Sequence, residues 1–362
     1  MYWSVGLVLL AGFLLLVYLR FLRGTNLAVY DRPWPDIVGE GASPSEAHFA
    51  MVEELAHKAA GVTSASGRSR LVLMRETMDN MGKDVDFAGR YLPVDAGSVR
   101  GEWVMAPGVD ASRRMLYIHG GAFLAGSPLS HRAITTELSR RLGGAVFSLD
   151  YRLMPEHPRS AGIEDCREAY RWIRTHGPEC EGDADVLFVA GDSAGGNLAL
   201  ALAIWVRDAR LTAPNGVIAL CPATDSTFSS PSLASNVTTD HMLGPLFGKL
   251  NQIPGPLLAL SSWFTNRRPP TDPQVSPVFA DLSGLPPLLV QASAQEMLRD
   301  DAVRFVNRAR AFGSPAELQL FANMLHVWHI FVQRGVEEAQ QAFDEIALFM
   351  SACCEQGAEA AA

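Results

Sequence analysis

The chain has 362 residues, of which 48% are hydrophobic and 19% charged, and its formal net charge is -9 at pH 7. This length and apolar content suffice for one large α/β domain with a substantial core. The acidic balance argues against nucleic acid as a partner and against adsorption to an anionic membrane by charge. The five cysteines, at 166, 180, 221, 353 and 354, have no metal-binding spacing and an odd count, which indicates neither a metal site nor a disulfide framework.

The amino-terminal segment is apolar enough to suggest a membrane anchor. Residues 3–19 carry no formal charge, and with Arg20 snorkelling the run approaches the roughly 20 residues that span a bilayer. A buried cap helix is the alternative, which is disfavoured because the run is apolar on all faces. Arg20, Arg23 and Arg32 all follow the run, so the positive-inside rule places the rest of the chain in the cytoplasm. The sequence thus predicts a transmembrane anchor over residues 1–24.

The segment that follows, residues 25–92, shows helical patterns and no pair of strands. Ser43-Pro44-Ser45-Glu46 has the polar residues that begin a helix, and this helix is predicted to reach Ala60. A second helix is predicted over residues 71–81. These helices are expected to cover the active site.

From residue 94 onward, predicted strands alternate with predicted helices. An antiparallel hairpin is expected over residues 94–106. The later strands are predicted at 114–118, 146–150, 186–190, 217–221, 288–292 and 317–321, and the helices near 131–142, 161–176, 196–209, 302–312 and 335–351. This alternation is typical of a doubly wound, mostly parallel sheet with helices on both faces.

Ser193 lies at the centre of Gly191-Asp192-Ser193-Ala194-Gly195, between a strand-like run and a helix-forming run. This context is the one that a nucleophile elbow requires. Glycine on either side allows a sharp turn that raises the serine hydroxyl above the sheet, and the following helix directs its unpaired N–H groups at the same place. The pattern predicts Ser193 as a nucleophile.

A glycine loop, His119-Gly120-Gly121-Ala122, follows the strand predicted at 114–118. Without Cβ atoms, Gly120 and Gly121 can bring their N–H groups close to a substrate carbonyl and form an oxyanion hole with the N–H of Ala194. A tight turn without chemistry is the alternative interpretation. We interpret His119 as a structural residue that holds the loop.

The remaining members of a triad must follow Ser193 in the order acid, then histidine, on loops after later strands. Glu296 and Asp300 both follow one predicted strand, and Asp300 fits better as the N-cap of the next helix. His326 and His329 both follow the last predicted strand. Spacing alone does not separate these two histidines, because residues three apart on a helix share nearly the same face. Cys221, at the end of a buried run, is interpreted as a core residue.

These motifs together resemble the hormone-sensitive-lipase-like esterases of the α/β-hydrolase superfamily. The resemblance covers all but about the first 25 residues. It runs through Gly101-Glu102-Trp103-Val104, the glycine loop, residues 150–158, the elbow, residues 272–277 and His326-Val327-Trp328-His329. The chain departs from the family at Ala122, where a third glycine is common, and at Met154, where alanine is frequent.

The resemblance implies an α/β-hydrolase fold with a helical cap, and it selects among the candidate residues. The family places its acid at the position of Glu296, and its Met-x-His pattern favours His326 as the base, which leaves His329 as a core residue. It implies a serine carboxylesterase that acts on short- to medium-chain uncharged esters and needs neither a metal nor an organic cofactor. An amidase or deacetylase on the same triad is the second interpretation, and a hormone-receptor-like binding protein without turnover is the third.

The predicted organisation has an anchor, amino-terminal cap helices, a catalytic domain in two pieces, a cap insertion and a frayed tail. Their bounds are 1–24, 25–92, 93–223 with 272–354, 224–271 and 355–362. The expected partners are a small ester substrate and, through the amino-terminal helix, a membrane. A homodimer is compatible with this organisation.

Overall fold

The computed structural model describes residues 12, 13 and 15–361, and within this part of the chain nine strands form one sheet. Their order across the sheet is β1-β9-β8-β7-β6-β4-β5-β3-β2. The bounds are β1 Ile37–Val38, β2 Arg90–Ala96, β3 Val99–Met105, β4 Asp110–Ile118, β5 Gly144–Leu149, β6 Val186–Asp192, β7 Gly216–Leu220, β8 Leu288–Ser293 and β9 Ala316–Phe321. All neighbours from β1 to β5 in this order are parallel, whereas β3 pairs antiparallel with β5 and with β2.

The mostly parallel sheet and its leading hairpin confirm the predicted fold class. One strand was not predicted: β1, which comes from the segment 25–92 and lies parallel to β9, with Ile37 opposite Leu320. This strand has two residues and no alternating pattern of its own. It forms because the edge of β9 offers unpaired backbone groups, which the local sequence does not reveal.

Helices cover both faces of the sheet. Their bounds are α1 Glu46–Ser64, α2 Gly67–Asp79, α3 Arg132–Leu142, α4 Arg159–Ile173, α5 Ala194–Asp208, α6 Ser232–Ser235, α7 Leu243–Phe247, α8 Gly255–Asn266, α9 Arg299–Ala311 and α10 Glu337–Ala361. In β4, Leu116 and Ile118 belong to the core layer that also contains residues of α4, α5 and α9, while Met115 and Tyr117 belong to the layer with α3 and α10. The alternation along each strand therefore builds one core layer on each face.

Two helix ends differ from the predictions. Helix α9 begins at Arg299 after Leu298, so Asp300 lies in its first turn and is not its N-cap. The Asp300 carboxylate instead accepts a hydrogen bond from the N–H of Ser232 at 2.8 Å. Helix α10 continues to Ala361, where the sequence predicts a frayed tail from residue 355.

The predicted membrane anchor is corrected by the structure. No helix among residues 12, 13 and 15–361 combines the length and hydropathy needed to cross a bilayer. The membrane-anchored placement over residues 1–24 is therefore wrong, and so is the topology that the positive-inside rule assigned to this anchor. The described end of the apolar run forms a π-helical turn at Tyr18–Leu22 that packs on α8, with Leu22 only 1% exposed. Residues 1–11 and 14 of the predicted anchor lie outside the described residues.

Helix α2 is held against the catalytic loops by one arginine. Arg75 donates to the backbone oxygen of Leu124 at 2.8 Å and to that of Met154 at 3.1 Å. Its guanidinium also binds both carboxylate oxygens of Glu156, at 2.9 and 2.8 Å. A bidentate arginine fixes orientation as well as distance. The amino-terminal helices are thereby fastened above the end of the sheet that carries the functional residues.

Candidate active site

The turn that carries Ser193 connects β6 to α5 without room for side chains on its flanking glycines. A Cβ on Gly195 would lie 1.9 Å from the backbone oxygen of Ile118, and one on Gly191 would lie 2.5 Å from the oxygen of Gly195. Ser193 itself has φ +52° and ψ -116°, a strained conformation for a residue with a side chain. The close approach of these segments keeps the serine in this conformation.

The three residues predicted for the triad are joined by a chain of hydrogen bonds. The Oγ of Ser193 lies 3.0 Å from Nε2 of His326, and Nδ1 of His326 bonds to the carboxylate of Glu296. The other carboxylate oxygen of Glu296 accepts the N–H of Ser293 at 2.8 Å. His326 is 3% exposed and Glu296 is fully buried. The three side chains come from the carboxyl ends of β6, β8 and β9, which meet at one edge of the sheet.

The competing residues lie elsewhere. Nε2 of His329 is 2.8 Å from Oε1 of Gln291, and burial lowers the pKa of His329 to about 3, so its ring stays neutral. Asp300 is bound to Ser232, as described above. The geometry thus brings Glu296 and His326, and neither competitor, to Ser193.

The charge of Glu296 sets the basicity of His326. Burial lowers the pKa of His326, but attraction to the Glu296 carboxylate and the hydrogen bond between them raise it more. The net pKa lies above the ordinary value of 6.5. Because only the neutral imidazole accepts a proton from serine, kcat/KM for ester hydrolysis is expected to rise with pH along a limb whose apparent pKa exceeds 6.5.

Replacing Glu296 with Gln tests this assignment. The amide removes the negative charge that raises the pKa of His326, so the rising limb of the kcat/KM profile is expected to move to lower pH. The value of kcat is expected to fall by about 10⁴-fold, because the imidazole loses its orientation. Asp300→Asn is the matched control, because it neutralises the neighbouring carboxylate and is expected to leave the limb in place. A pH–rate profile of the three proteins decides the matter, and a shift in Asp300→Asn alone would assign the acid to Asp300.

The glycine loop differs from its prediction at Gly120. The N–H of Gly120 donates to Oδ1 of Asp192 at 2.9 Å, so it is not available to a substrate oxygen. Asp192 also accepts from the hydroxyl of Tyr117 at 2.5 Å and lies 3.4 Å from Nε2 of His131. Burial raises the pKa of Asp192, but attraction to His131 and the hydrogen bonds outweigh it and lower the pKa to about 2. A permanent buried anion therefore holds the loop.

The next residues of this loop are better placed to donate. Gly121, Ala122 and Ser193 line the same cavity, and the N–H groups of Gly121 and Ala122 make no hydrogen bond to other described residues. Gly121 has φ +113°, and a Cβ there would lie 2.1 Å from the backbone oxygen of Ala125. The N–H of Ala194, at the start of α5, is one of the groups that a helix leaves unpaired. Of the predicted donors Gly120, Gly121 and Ala194, Gly120 is thus occupied by Asp192, and among the described residues the N–H of Ala122 is the unpaired group next to Gly121.

Ala122 occupies a left-handed conformation, with φ +56°. An alanine there costs about 1–2 kcal/mol, of which the extra freedom of an unfolded glycine chain offsets about 0.4–1 kcal/mol. Ala122→Gly is therefore expected to stabilise the protein by about 0.5–1 kcal/mol and to leave ester turnover unchanged, since the N–H is kept. The control is Ala209→Gly, at φ -78°, which is expected to destabilise. Urea unfolding midpoints measure the stability change in both variants. Equal changes in the two variants would contradict the assignment of backbone strain to Ala122.

His119 lies against the glycine loop, as expected for a residue that holds this loop in place. Its ring stacks on Tyr151 at 4.4 Å between centroids, and its Nδ1 lies 2.8 Å from the backbone oxygen of Gly120. Burial, and then the neighbouring His131, lower the pKa of His119 to about 3. A neutral ring that faces the loop supports it and does not reach Ser193.

The cavity above Ser193 is apolar and measures about 150 Å³. Helices α1 and α2 and the segment around α7 form its walls, with Leu55, Met74, Met78, Met242, Leu246 and Phe247. Lys58 also reaches the cavity, but its ammonium group is paired with Glu54 at 2.6 Å. The site thus offers a mostly apolar compartment beside the triad.

Cys221, Glu296 and His326 form the cluster of metal-type ligands found among the described residues. Metal binding requires a thiolate. Burial and the nearby Glu296 carboxylate raise the pKa of the Cys221 thiol well above its ordinary value, which keeps it protonated. This donor set does not fit a metal ion, because two of its members are already hydrogen-bonded to each other as base and acid.

Comparison with known proteins agrees with the geometry. A family model described as the alpha/beta hydrolase fold matches residues 115–330. An esterase of Acinetobacter venetianus is 35% identical over 257 residues, which cover 71% of this chain and 80% of the relative. A crystal structure of an esterase from the bacterial hormone-sensitive lipase family superposes with a TM-score of 0.72 at 32% identity, covering 85% of this chain and 98% of that one. The chain belongs to the hormone-sensitive-lipase-like esterases of the α/β-hydrolase fold.

A further relative of this esterase is the carboxylesterase/phospholipase LipF of Mycobacterium tuberculosis. It is 32% identical over 290 residues, covering 74% of this chain and 72% of the relative. The matched residues 115–330 include the glycine loop, the elbow, Glu296 and His326, whereas the cavity walls from α1 and α2 lie outside them.

Proposed function

We propose that the esterase hydrolyses uncharged carboxylic esters of short- to medium-chain acids through an acyl-enzyme on Ser193. The observation that carries this proposal is the continuous hydrogen-bonded set of Ser193, His326 and Glu296 at the floor of an apolar cavity. A binding protein without turnover would not need a buried imidazole within hydrogen-bond distance of that serine.

The mechanism follows from these contacts. His326 accepts the proton of Ser193 as Oγ attacks the ester carbonyl, and Glu296 stabilises the imidazolium without taking its proton. The N–H groups of Gly121, Ala122 and Ala194 donate hydrogen bonds to the oxyanion of the tetrahedral intermediate. The protonated His326 then gives its proton to the leaving alcohol, and a water activated by the same imidazole releases the acid.

The cavity sets the proposed substrate class. A charged acyl group would lose its hydration against the methionine and leucine walls, which favours uncharged esters. A volume of about 150 Å³ is small beside the roughly 300–1,000 Å³ of pockets for drug-sized ligands, which favours short chains. A similar structure, the esterase EstE5, was soaked with p-nitrophenyl butyrate; it has a TM-score of 0.72 and 31% identity and covers 86% of this chain and 99% of that one.

A series of p-nitrophenyl esters tests the proposal. We expect kcat/KM to be largest for acetate, butyrate or hexanoate and to fall steeply before palmitate. The matching p-nitroanilides, measured beside them, separate an esterase from an amidase or deacetylase. Absence of turnover on every ester, with anilides cleaved, would replace the proposal with amide hydrolysis, and absence of turnover on both would overturn it.

The homodimer stays a prediction, which gel filtration of the same samples checks.

A further inference from the structure

Cys221 lies directly beneath the triad. It follows the last residue of β7, is fully buried, and its Sγ lies within 4.8 Å of ligand atoms of both Glu296 and His326. The mechanism above uses Glu296 and His326 and gives no part to this thiol. The thiol is therefore an immediate neighbour of both the acid and the base.

The sulfur atom accepts a hydrogen bond from the residue after the base. The N–H of Val327 points to Sγ of Cys221 at 3.3 Å. Val327 has φ +51°, which is a strained conformation for a β-branched residue, and Cys221 has φ +48°. Strain of this kind persists only where surrounding contacts enforce it, and this bond joins the two strained positions. The direction in which the chain leaves His326 therefore depends on Cys221.

The thiol of Cys221 lies beside the acid as well as beside the base. Burial and the Glu296 carboxylate keep the thiol protonated, so it has an S–H that can turn toward this carboxylate, which lies within 4.8 Å. One oxygen of Glu296 already receives the N–H of Ser293, and the other bonds to His326. An S–H turned toward this fully buried carboxylate would be its third donor, and it would withdraw part of the negative charge that raises the pKa of His326.

We infer that Cys221 is a positioning residue of the triad: its sulfur holds Val327, and thus His326, while its S–H orients Glu296 and moderates its charge. This inference rests on the proposed function, because it assigns a role within the same site. Two other carboxylates act on His326, those of Asp240 and Asp192, and both stay unchanged when Cys221 is replaced.

Two substitutions separate the two halves of the role. Cys221→Ala removes the acceptor and the donor, so kcat is expected to fall about 3- to 10-fold with KM unchanged. The acid limb of kcat/KM is expected to move to higher pH, because Glu296 keeps its full charge and raises the pKa of His326. Cys221→Ser retains a donor and an acceptor. It is expected to recover most of kcat and to place the limb at or below the wild-type position, since a hydroxyl donates more strongly than a thiol.

The control is Cys166→Ala, which removes another buried thiol, on α4, and is expected to lower stability without moving the limb. The imidazole pKa of His326, followed by NMR in histidine-labelled protein, gives the same information without turnover. A wild-type pKa and kcat in Cys221→Ala, with only a lower melting temperature, would overturn the inference. Wild-type inactivity on esters would overturn the proposed function instead, and the NMR pKa values of the variants would still decide the role of Cys221.

Discussion

Replacement of Ser193 by alanine is expected to lower kcat for ester hydrolysis by about 10⁴- to 10⁶-fold while the protein stays folded. The hydroxyl is the attacking group, and its Oγ is the donor that lies 3.0 Å from the accepting Nε2 of His326. The methyl group of alanine keeps the Cβ, so the backbone of the elbow has no reason to change. Initial rates with p-nitrophenyl butyrate and a thermal melt measure the two halves of this expectation.

The control for Ser193→Ala is Ser98→Ala, at an exposed position in the turn between β2 and β3. It is expected to retain wild-type kcat. A phosphonate ester that labels active serines adds a direct reading by mass spectrometry: it is expected to modify the wild type and Ser98→Ala but not Ser193→Ala. Labelling of the Ser193→Ala protein, or a kcat within tenfold of wild type, would assign the nucleophile to another residue.

Replacement of Gly195 by alanine is expected to destabilise the fold by about 4 kcal/mol or more, enough to prevent recovery of folded protein. The added Cβ would lie 1.9 Å from the backbone oxygen of Ile118 and 2.6 Å from that of His119. Both are backbone atoms between β4 and the glycine loop, so no side-chain rotation relieves the overlap. Separation of α5 from β4 would be required, and this would also displace Ser193.

Gly61→Ala is the matched control, because nothing lies within 4 Å of its added Cβ and Gly61 is inside helix α1. Alanine is expected to stabilise this helix by about 0.5–1 kcal/mol. The two Gly→Ala changes thus have opposite expected signs, which urea unfolding and the yield of soluble protein measure. A stable Gly195→Ala protein with wild-type activity would show that the elbow is more open than its contacts indicate.

The strands and helices of the catalytic part were predictable because their signals are local. Each parallel strand is a short apolar run, and each helix has a periodic pattern, so the predicted strands from β4 onward agree with the observed ones to within a few residues. The choice of His326 over His329 came from the family resemblance. The choice of Glu296 over Asp300 came from that resemblance together with an N-cap role for Asp300, which the structure gives to Leu298 instead. Spacing alone left these pairs open, because both members of each pair follow the same strand.

The amino-terminal apolar run is a segment that its local sequence predicts wrongly. Its hydropathy suggests a bilayer span, yet Leu22, at its described end, is buried against the protein. Hydropathy measures only the preference for an apolar environment. Contacts with α8 supply that environment to Leu22, whereas Phe13, Leu15, Leu16, Leu19 and Phe21 are exposed. Strand β1 was missed for a related reason, because it forms by pairing with β9, which is far away in the sequence.

The sequence by itself determined the order of the strands and helices, the elbow at Ser193 and the candidates for acid and base, because each depends on residues that are neighbours in the chain. Only the tertiary structure decided which glycine-loop N–H groups face the substrate, since Asp192 captures that of Gly120 from 72 residues away. It also brought Cys221 against Glu296 and Val327, three residues from different loops. Such contacts arise when separate strand ends meet, and no local pattern records them.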